Sequence, residues 1–266
     1  MPTQDDNGNR EEGKVLLERT GTIATITLSR PGALNALTWT MYQQLKAHLD
    51  RLATNETVRV VILRGAGKAF ATGTDIAQFQ GFTVKEGMDY ERQMESIFEQ
   101  LYTFPRPVIA AIHGYAIGAG NILAAACDLR YATPSAQFGV PVARTLGNGL
   151  SLKNYRMLQH AFGSMRTKEM LLTARLLSAQ EALQYGFLTE IFEEERMFAQ
   201  VFEIAQHIST LAPLSIWAAK EADRRIFASQ GNIPFDDVLE RIYASHDFAE
   251  GVRAYVEKRK PRWKGR

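Results

Sequence analysis

Apolar and polar positions alternate at the start of the chain in a way that predicts a hairpin. Val15–Glu18 and Thr22–Leu28 are rich in β-branched and alternating residues and flank a turn at Thr20-Gly21. The period then changes. In LTWTMYQQLKAHLDRLATN, Met41, Leu45, Leu49 and Leu52 recur at three- and four-residue intervals, which predicts a helix capped by Thr38 or Thr40. VRVVILRG is a continuous apolar run, as a strand buried on both faces requires. KAFATGTDIAQF reads as a glycine-bearing loop into a short helix with Asp75 placed to cap it. EGMDYERQMESIFEQLYTF is amphipathic, RPVIAAIHG is strand-like, and DLRYATPSAQFGVP reads as a short strand pair.

From about Leu150 helical patterns take over, interrupted by one strand in LTEIF. Alternating strands and helices followed by a nearly all-helical third predict an α/β fold with a C-terminal helical region. The expected division is a disordered tail over 1–13, an α/β core over 14–200 and the helical region over 201–266. The late helices carry Trp217, Ile226, Phe227, Phe235, Ile242, Tyr243 and Phe248, which serve either a subunit interface or the core of one chain.

Two glycine loops hold the candidate chemistry. Each follows a buried strand and precedes a helix: AFATGTDI at 69–76 and HGYAIGAGN at 113–121. Gly114, Gly118 and Gly120 match the Gly-x3-Gly-x-Gly of short-chain dehydrogenases, where glycines admit a dinucleotide pyrophosphate to a helix N-terminus. A Tyr-x3-Lys pair, Tyr42 and Lys46, is present too. The order is reversed, however, since that family opens with its glycine loop. Tyr42 and Lys46 read more simply as surface groups of a helix.

With both loops considered, the sequence resembles the crotonase (enoyl-CoA hydratase/isomerase) superfamily from about Val15 to Trp263. LSRPGALNALT, AFATGTDI, the long PRPVIAAIHGYAIGAGNILAAACDLRYATPSAQFGVP, TARLLSAQEALQYGFLTEIF and AYVEKRKPRW carry the resemblance, in the family's order. The resemblance implies a spiral of ββα units with a C-terminal helical oligomerisation region, assembled as a homo-trimer or a dimer of trimers. It implies an acyl-CoA substrate and an oxyanion hole made by the backbone N–H groups of Thr74 and Ala119. Such a hole stabilises the charge of an enolate or a tetrahedral oxyanion, each donor contributing about 3–4 kcal/mol. By the same resemblance Gly73, Asp75, Ile76, Gly118, Tyr255 and Lys258 would contact CoA. No separate cofactor is implied, because CoA arrives as part of the substrate.

The chain departs from the family at the acid/base positions. Hydratases of the family keep two glutamates where this sequence has Ile122 and Val142. Neither side chain can activate water or deliver a proton. The expectation is therefore a divergent acyl-CoA reaction rather than standard hydration. Arg144, Thr145, Asn121 and Tyr115 are candidate polar replacements, with Asn148 close by. Arg144 would pair with an acyl carboxylate or another anion, or else form a structural ion pair. Ala77 stands where some members carry a CoA-directed lysine. A non-catalytic acyl-CoA-binding paralogue and, more distantly, a dehydrogenase-like NAD(P) enzyme stay open as other readings.

Charge and composition add limits. The net charge is +2, yet Val252–Arg266 holds seven Lys/Arg and one acid, so the tail suits an anion such as the CoA phosphates. No nucleic-acid partner is expected. The single cysteine, Cys127, permits no internal disulfide and reads as a small buried residue. His113 reads as a structural loop residue, and the other histidines lack metal-ligand spacing, so no metal is expected. The polar first residues lack the apolar core of a signal peptide, and no window is apolar long enough to span a bilayer, which gives a cytoplasmic expectation.

Overall fold

A computed structural model of the chain describes residues 12–228 and 236–262. Residues 1–11 of the expected tail lie outside the described residues, as does Phe235, and nothing is described of the Ile242 side chain.

The predicted hairpin forms from β1 (Lys14–Thr20) and β2 (Ile23–Ser29), paired antiparallel. β3 (Val60–Gly65), β4 (Val108–Ile112), β6 (Leu129–Ala132) and β9 (Glu190–Ile191) then add in parallel, giving a six-stranded sheet ordered β1-β2-β3-β4-β6-β9. Parallel neighbours need crossovers. α1 (Trp39–Ala53) links β2 to β3, and α2 (Val84–Tyr102) lies between β3 and β4. Thr38 caps α1 through the Met41 N–H, and Thr83 with Glu86 forms a capping box on α2.

A second sheet stands beside the first. It contains β5 (Tyr115–Ile117), β7 (Gln137–Gly139) and β8 (Leu177–Ser178) in the order β5-β7-β8. The chain passes from large sheet to small sheet at each turn, β4 to β5 and β6 to β7. This is the expected ββα spiral. It also corrects the reading of DLRYATPSAQFGVP as a strand pair. β6 pairs with β4 and β7 with β5, so the two strands belong to different sheets.

Successive strand residues face opposite sides. Val61 and Leu63 join the main core with α1, α2, α3 (Ala119–Ala126) and α5 (Leu152–Thr173). Val60 and Ile62 face the other way, against Met197, Val201 and Ala205 of α7 (Glu194–Ser209). α7 therefore covers the second face of the sheet, and the expected boundary between residues 200 and 201 falls inside it. α5 is broken at Gly163 (φ 73°, ψ 162°).

The last helices divide. α8 (Pro213–Ala228) buries none of its residues and exposes Leu214, Trp217 and Ile226. It is tied to the body by Lys220–Asp128 (2.6 Å) and by the Tyr102 hydroxyl donating to Asp223 (2.6 Å). α9 (Asp236–Tyr243) packs on α2, and α10 (His246–Val256) on the 3-10 turn that follows the first glycine loop. Their Leu239, Tyr243, Phe248 and Val252 form a separate apolar cluster with Phe79, Met88 and Leu146. Of the aromatic residues in doubt, Tyr243 and Phe248 are thus core, while Trp217 is half exposed. No helix among the described residues is long and apolar enough to cross a membrane.

Candidate active site

The two glycine loops meet at one cleft of about 1040 Å³. The first is held from behind by the Arg30–Asn35 segment. Asn35 is fully buried at φ 56°, accepts from the Arg30 N–H, and donates to the carbonyls of Ala66 and Ala69. Arg30 pairs with Asp75 at 2.9 Å, and the Asp75 carboxylate also caps the following 3-10 turn (Ile76–Phe79) through the Ala77 N–H. These two residues explain why the segment reads Arg-Pro-x-x-x-Asn: one fixes the loop's carboxylate, the other tolerates a left-handed backbone while tying down carbonyls.

Thr74 sits between two hydrogen bonds to Leu37. The Leu37 N–H donates to the Gly73 carbonyl (2.7 Å), and the Asp75 N–H donates to the Leu37 carbonyl (2.9 Å). In such an extended bridge the intervening residue turns its own N–H to the opposite side. For Thr74 that side is the cleft. Gly73 adopts φ +98°, and a methyl there would stand 3.6 Å from the Ala119 nitrogen, so the two loops abut at this point.

Ala119 is the first residue of α3, after Gly118 at the N-cap. Its N–H is one of the donors a helix leaves without a partner. Among the described residues neither the Thr74 N–H nor the Ala119 N–H has an acceptor, and both residues line the cleft. Gly120 makes the approach possible, because a Cβ there would lie 2.1 Å from the Ala71 carbonyl oxygen. The α3 dipole adds a modest positive field at the same place.

A chain of hydroxyls supports Thr74. The Tyr42 and Tyr90 hydroxyls lie 2.8 and 2.9 Å from the Thr74 Oγ1. This corrects the reading of Tyr42 as a surface group: it is buried, and only Lys46 is exposed, paired with Asp50 at 2.8 Å. Burial pushes both phenols above the usual tyrosine range, so they are neutral hydrogen-bonding groups.

The expected CoA contacts Gly73, Asp75, Ile76, Gly118, Tyr255 and Lys258 all line the same cleft, together with Ala77. The tail is locked there by Glu250, which accepts from Arg253, from Arg259 and from the Arg262 N–H. Those bonds hold the Glu250 carboxyl far below the ordinary carboxylate range. Ile122 and Val142 also line the cleft, giving it apolar walls where the resemblance implied carboxylates.

The proposed polar replacements separate. Thr145 lines the cleft, but its hydroxyl is bonded to the Pro141 carbonyl at 3.0 Å. Arg144 is exposed, Tyr115 is 39 % exposed on β5, and Asn121 is fully buried with neither amide atom bonded; none of the three is a lining residue. Arg144 forms no ion pair among the described residues, so the structural role considered for it has no partner there. Asn148 does line the cleft.

Sequence reasoning passed over Glu91, a cleft residue only 3 % exposed. Its carboxylate accepts from the Tyr243 hydroxyl at 2.7 Å. Burial raises its pKa to about 7. A signal was present: Met88, Met94, Phe98 and Leu101 form the apolar stripe of α2, and Glu91 interrupts that stripe as an acid at a core position.

His113 and Cys127 are structural. The His113 Nε2 lies 2.8 Å from the Gly67 carbonyl, and burial lowers its pKa. The Cys127 thiol donates to the Leu123 carbonyl, and burial pushes it up to about 12.

The sequence model of the family "Enoyl-CoA hydratase/isomerase" matches residues 18–266. The (E)-benzylidenesuccinyl-CoA hydratase of Thauera aromatica is 34% identical over 258 residues, covering 94% of this chain and 99% of the relative. A probable enoyl-CoA hydratase of Rhizobium meliloti is 32% identical, with 95% and 98% covered. Among solved structures, a methylmalonyl-CoA decarboxylase in complex with 2-nitronate-propionyl-CoA superposes with a TM-score of 0.87 at 28% identity, over 95% of this chain and 99% of that one. An enoyl-CoA hydratase/carnithine racemase from Magnetospirillum magneticum gives 0.78 at 32% identity, with 95% and 96% covered. With loops, topology and comparisons in agreement, the chain belongs to the enoyl-CoA hydratase/isomerase family and has the crotonase fold.

Proposed function

We propose that the protein is an enzyme that binds an acyl-CoA thioester in this cleft and stabilises its enolate, without acting as a standard enoyl-CoA hydratase. The observation that carries the reading is the pair of unengaged N–H groups of Thr74 and Ala119, which abut in one cleft. A thioester oxygen placed between them gains negative charge when the α-carbon loses a proton or a carboxylate, and preorganised donors bind that charged form best. Tyr255 and Lys258 at the rim suit the adenosine and phosphates of CoA, with Gly73, Asp75, Ile76 and Gly118 along the chain of the ligand. The apolar Ile122 and Val142 supply no base for water, which counts against hydration; decarboxylation needs no base at these positions, while isomerisation needs one from elsewhere in the cleft. No separate cofactor enters this scheme, and CoA is part of the substrate.

The test is a panel of acyl-CoA thioesters assayed for binding by calorimetry and for turnover by mass spectrometry. Binding with isomerised or decarboxylated product supports the reading. Binding without any product would make the protein a non-catalytic acyl-CoA-binding paralogue, and stabilisation by NAD(P)H but not by CoA would favour the dehydrogenase-like reading. The bare apolar face of α8 favours a homo-trimer or a dimer of trimers, which light scattering checks as three or six times the 29.8 kDa chain. A monomer at micromolar concentration would count against it.

A further inference from the structure

With both family carboxylate positions apolar, the cleft needs another group to move protons. Among the acids that line it, Asp75 is committed to Arg30 and to the Ala77 N–H. Glu91 differs: it faces the cleft from α2 and is engaged by the Tyr243 hydroxyl, with no basic side chain bonded to it. Its neighbour Tyr90 reaches Thr74, so the same turn of α2 touches the oxyanion loop.

The placement of Glu91 is built by three elements. Gly87 precedes it by one helical turn, and a Cβ at Gly87 would lie 2.3 Å from the Tyr243 ring. The missing side chain lets the ring lie against α2, where its hydroxyl meets the Glu91 Oε1. Tyr243 comes from α9, and Ser151 precedes α5. Asn148, whose buried Oδ1 has no partner, lines the cleft beside Tyr243. The result is a carboxyl at the cleft wall whose orientation is held by the Tyr243 hydroxyl.

We propose that Glu91 is the proton-carrying residue of this cleft, positioned by Tyr243, and that it replaces the acid/base work of the positions now held by Ile122 and Val142. The proposal rests on the acyl-CoA reading above. In the forward step the Glu91 carboxylate takes a proton from the substrate α-carbon. The C–H electron pair becomes the enolate C=C bond, and the carbonyl π pair moves onto the thioester oxygen between Thr74 and Ala119. Glu91, now a carboxylic acid, swaps its proton with solvent and protonates the α-carbon, giving exchange, or, when the substrate has a β,γ double bond, protonates the γ-carbon of the resulting dienolate, giving a shifted double bond. No other reactant is consumed.

The acidity of Glu91 suits this role, since a base poised near neutrality can both take and return a proton. The groups that set it are Glu95 on its own helix, Tyr243 from α9 and the Ser151 N–H, with the neutral phenols Tyr42 and Tyr90 close by. Burial and Glu95 raise the pKa, while the Tyr243 and Ser151 donors lower it.

The experiment is hydrogen–deuterium exchange at the α-carbon of butanoyl-, vinylacetyl- and phenylacetyl-CoA in deuterium oxide, read by mass spectrometry, with affinity measured in parallel. The full-length protein is expected to exchange at least one of the three. Glu91→Gln should lower that rate by about 100-fold or more, with affinity retained and the fold still melting cooperatively. Tyr243→Phe should shift the rising limb of the rate–pH profile to higher pH, because the lost hydroxyl no longer stabilises the carboxylate. Exchange that persists within a few fold in Glu91→Gln overturns the assignment and leaves the acyl-CoA reading intact. Tight binding with no exchange of any probe also overturns it. Failure to bind any of the thioesters overturns the acyl-CoA reading itself, and the assignment with it.

Discussion

The floor and the side wall of the cleft are made of different material. The floor is backbone: the N–H groups of Thr74 and Ala119, set by Gly73, Gly118 and Gly120. The wall is side chain: Ile122, Val142 and Glu91. A backbone donor survives substitution of its residue, so Thr and Ala serve there as well as Gly would. A side-chain acid is lost in a single replacement, and it can be supplied again from another helix that reaches the same cavity. In the proposed function the floor holds a charged oxygen, while the wall decides what happens to the proton.

The largest expected effect comes from breaking the floor without disturbing its shape. Ala119→Pro removes one N–H at the first position of α3, where proline is tolerated. Turnover of any active thioester should fall about 10²- to 10³-fold, with the melting temperature nearly unchanged. A loss below about tenfold would show that this N–H is not a transition-state donor.

The wall is tested next, through stability. Glu91 has a folded-state pKa of about 7 against an ordinary 4.5. Below pH 4.5 it is protonated in both folded and unfolded chains and costs nothing. As pH rises through 4.5 to about 7 the unfolded chain ionises first, and the fold loses stability. Glu91→Gln should therefore match the wild type near pH 4.5 and exceed it at pH 8, by on the order of 3 kcal/mol. Denaturant melts at the two pH values check this; a constant difference would contradict the raised pKa.

The smallest effect separates backbone from side chain at one residue. Thr74→Val keeps the N–H and removes the hydroxyl that bridges Tyr42 and Tyr90. Stability should fall about 1–3 kcal/mol as two buried phenols lose their partner. The rate should fall far less than in Ala119→Pro. Comparable losses in the two variants would place the Thr74 side chain, not only its N–H, in the chemistry.

Local signals made much of this legible. The hairpin, the strand of 60–65, the caps by Thr38 and Asp75 and the two glycine loops all follow from short-range pattern. What escaped depends on distant partners. Tyr42 lies on an amphipathic helix that says nothing of a threonine 32 residues away, and its match to a Tyr-x3-Lys pair drew attention to the wrong neighbour. β6 and β7 are close in sequence, but their partners β4 and β5 send them to different sheets. α7 has the same helical periodicity as its successors, and only the outer faces of Val60 and Ile62 assign it to the core. Glu91 was visible as an acid in an apolar stripe, yet its phenolic partner stands 152 residues downstream.

That separation has a consequence for biosynthesis. A chain emerging from the ribosome can form its sheets and both glycine loops well before Tyr243, Tyr255 and Lys258 have been made. Until then Glu91 has no phenol to orient it, and one side of the cavity stands open to water. Nascent or prematurely terminated chains would thus resemble the finished protein in their α/β core yet lack its closed cleft, because a later-translated segment is the one that closes it.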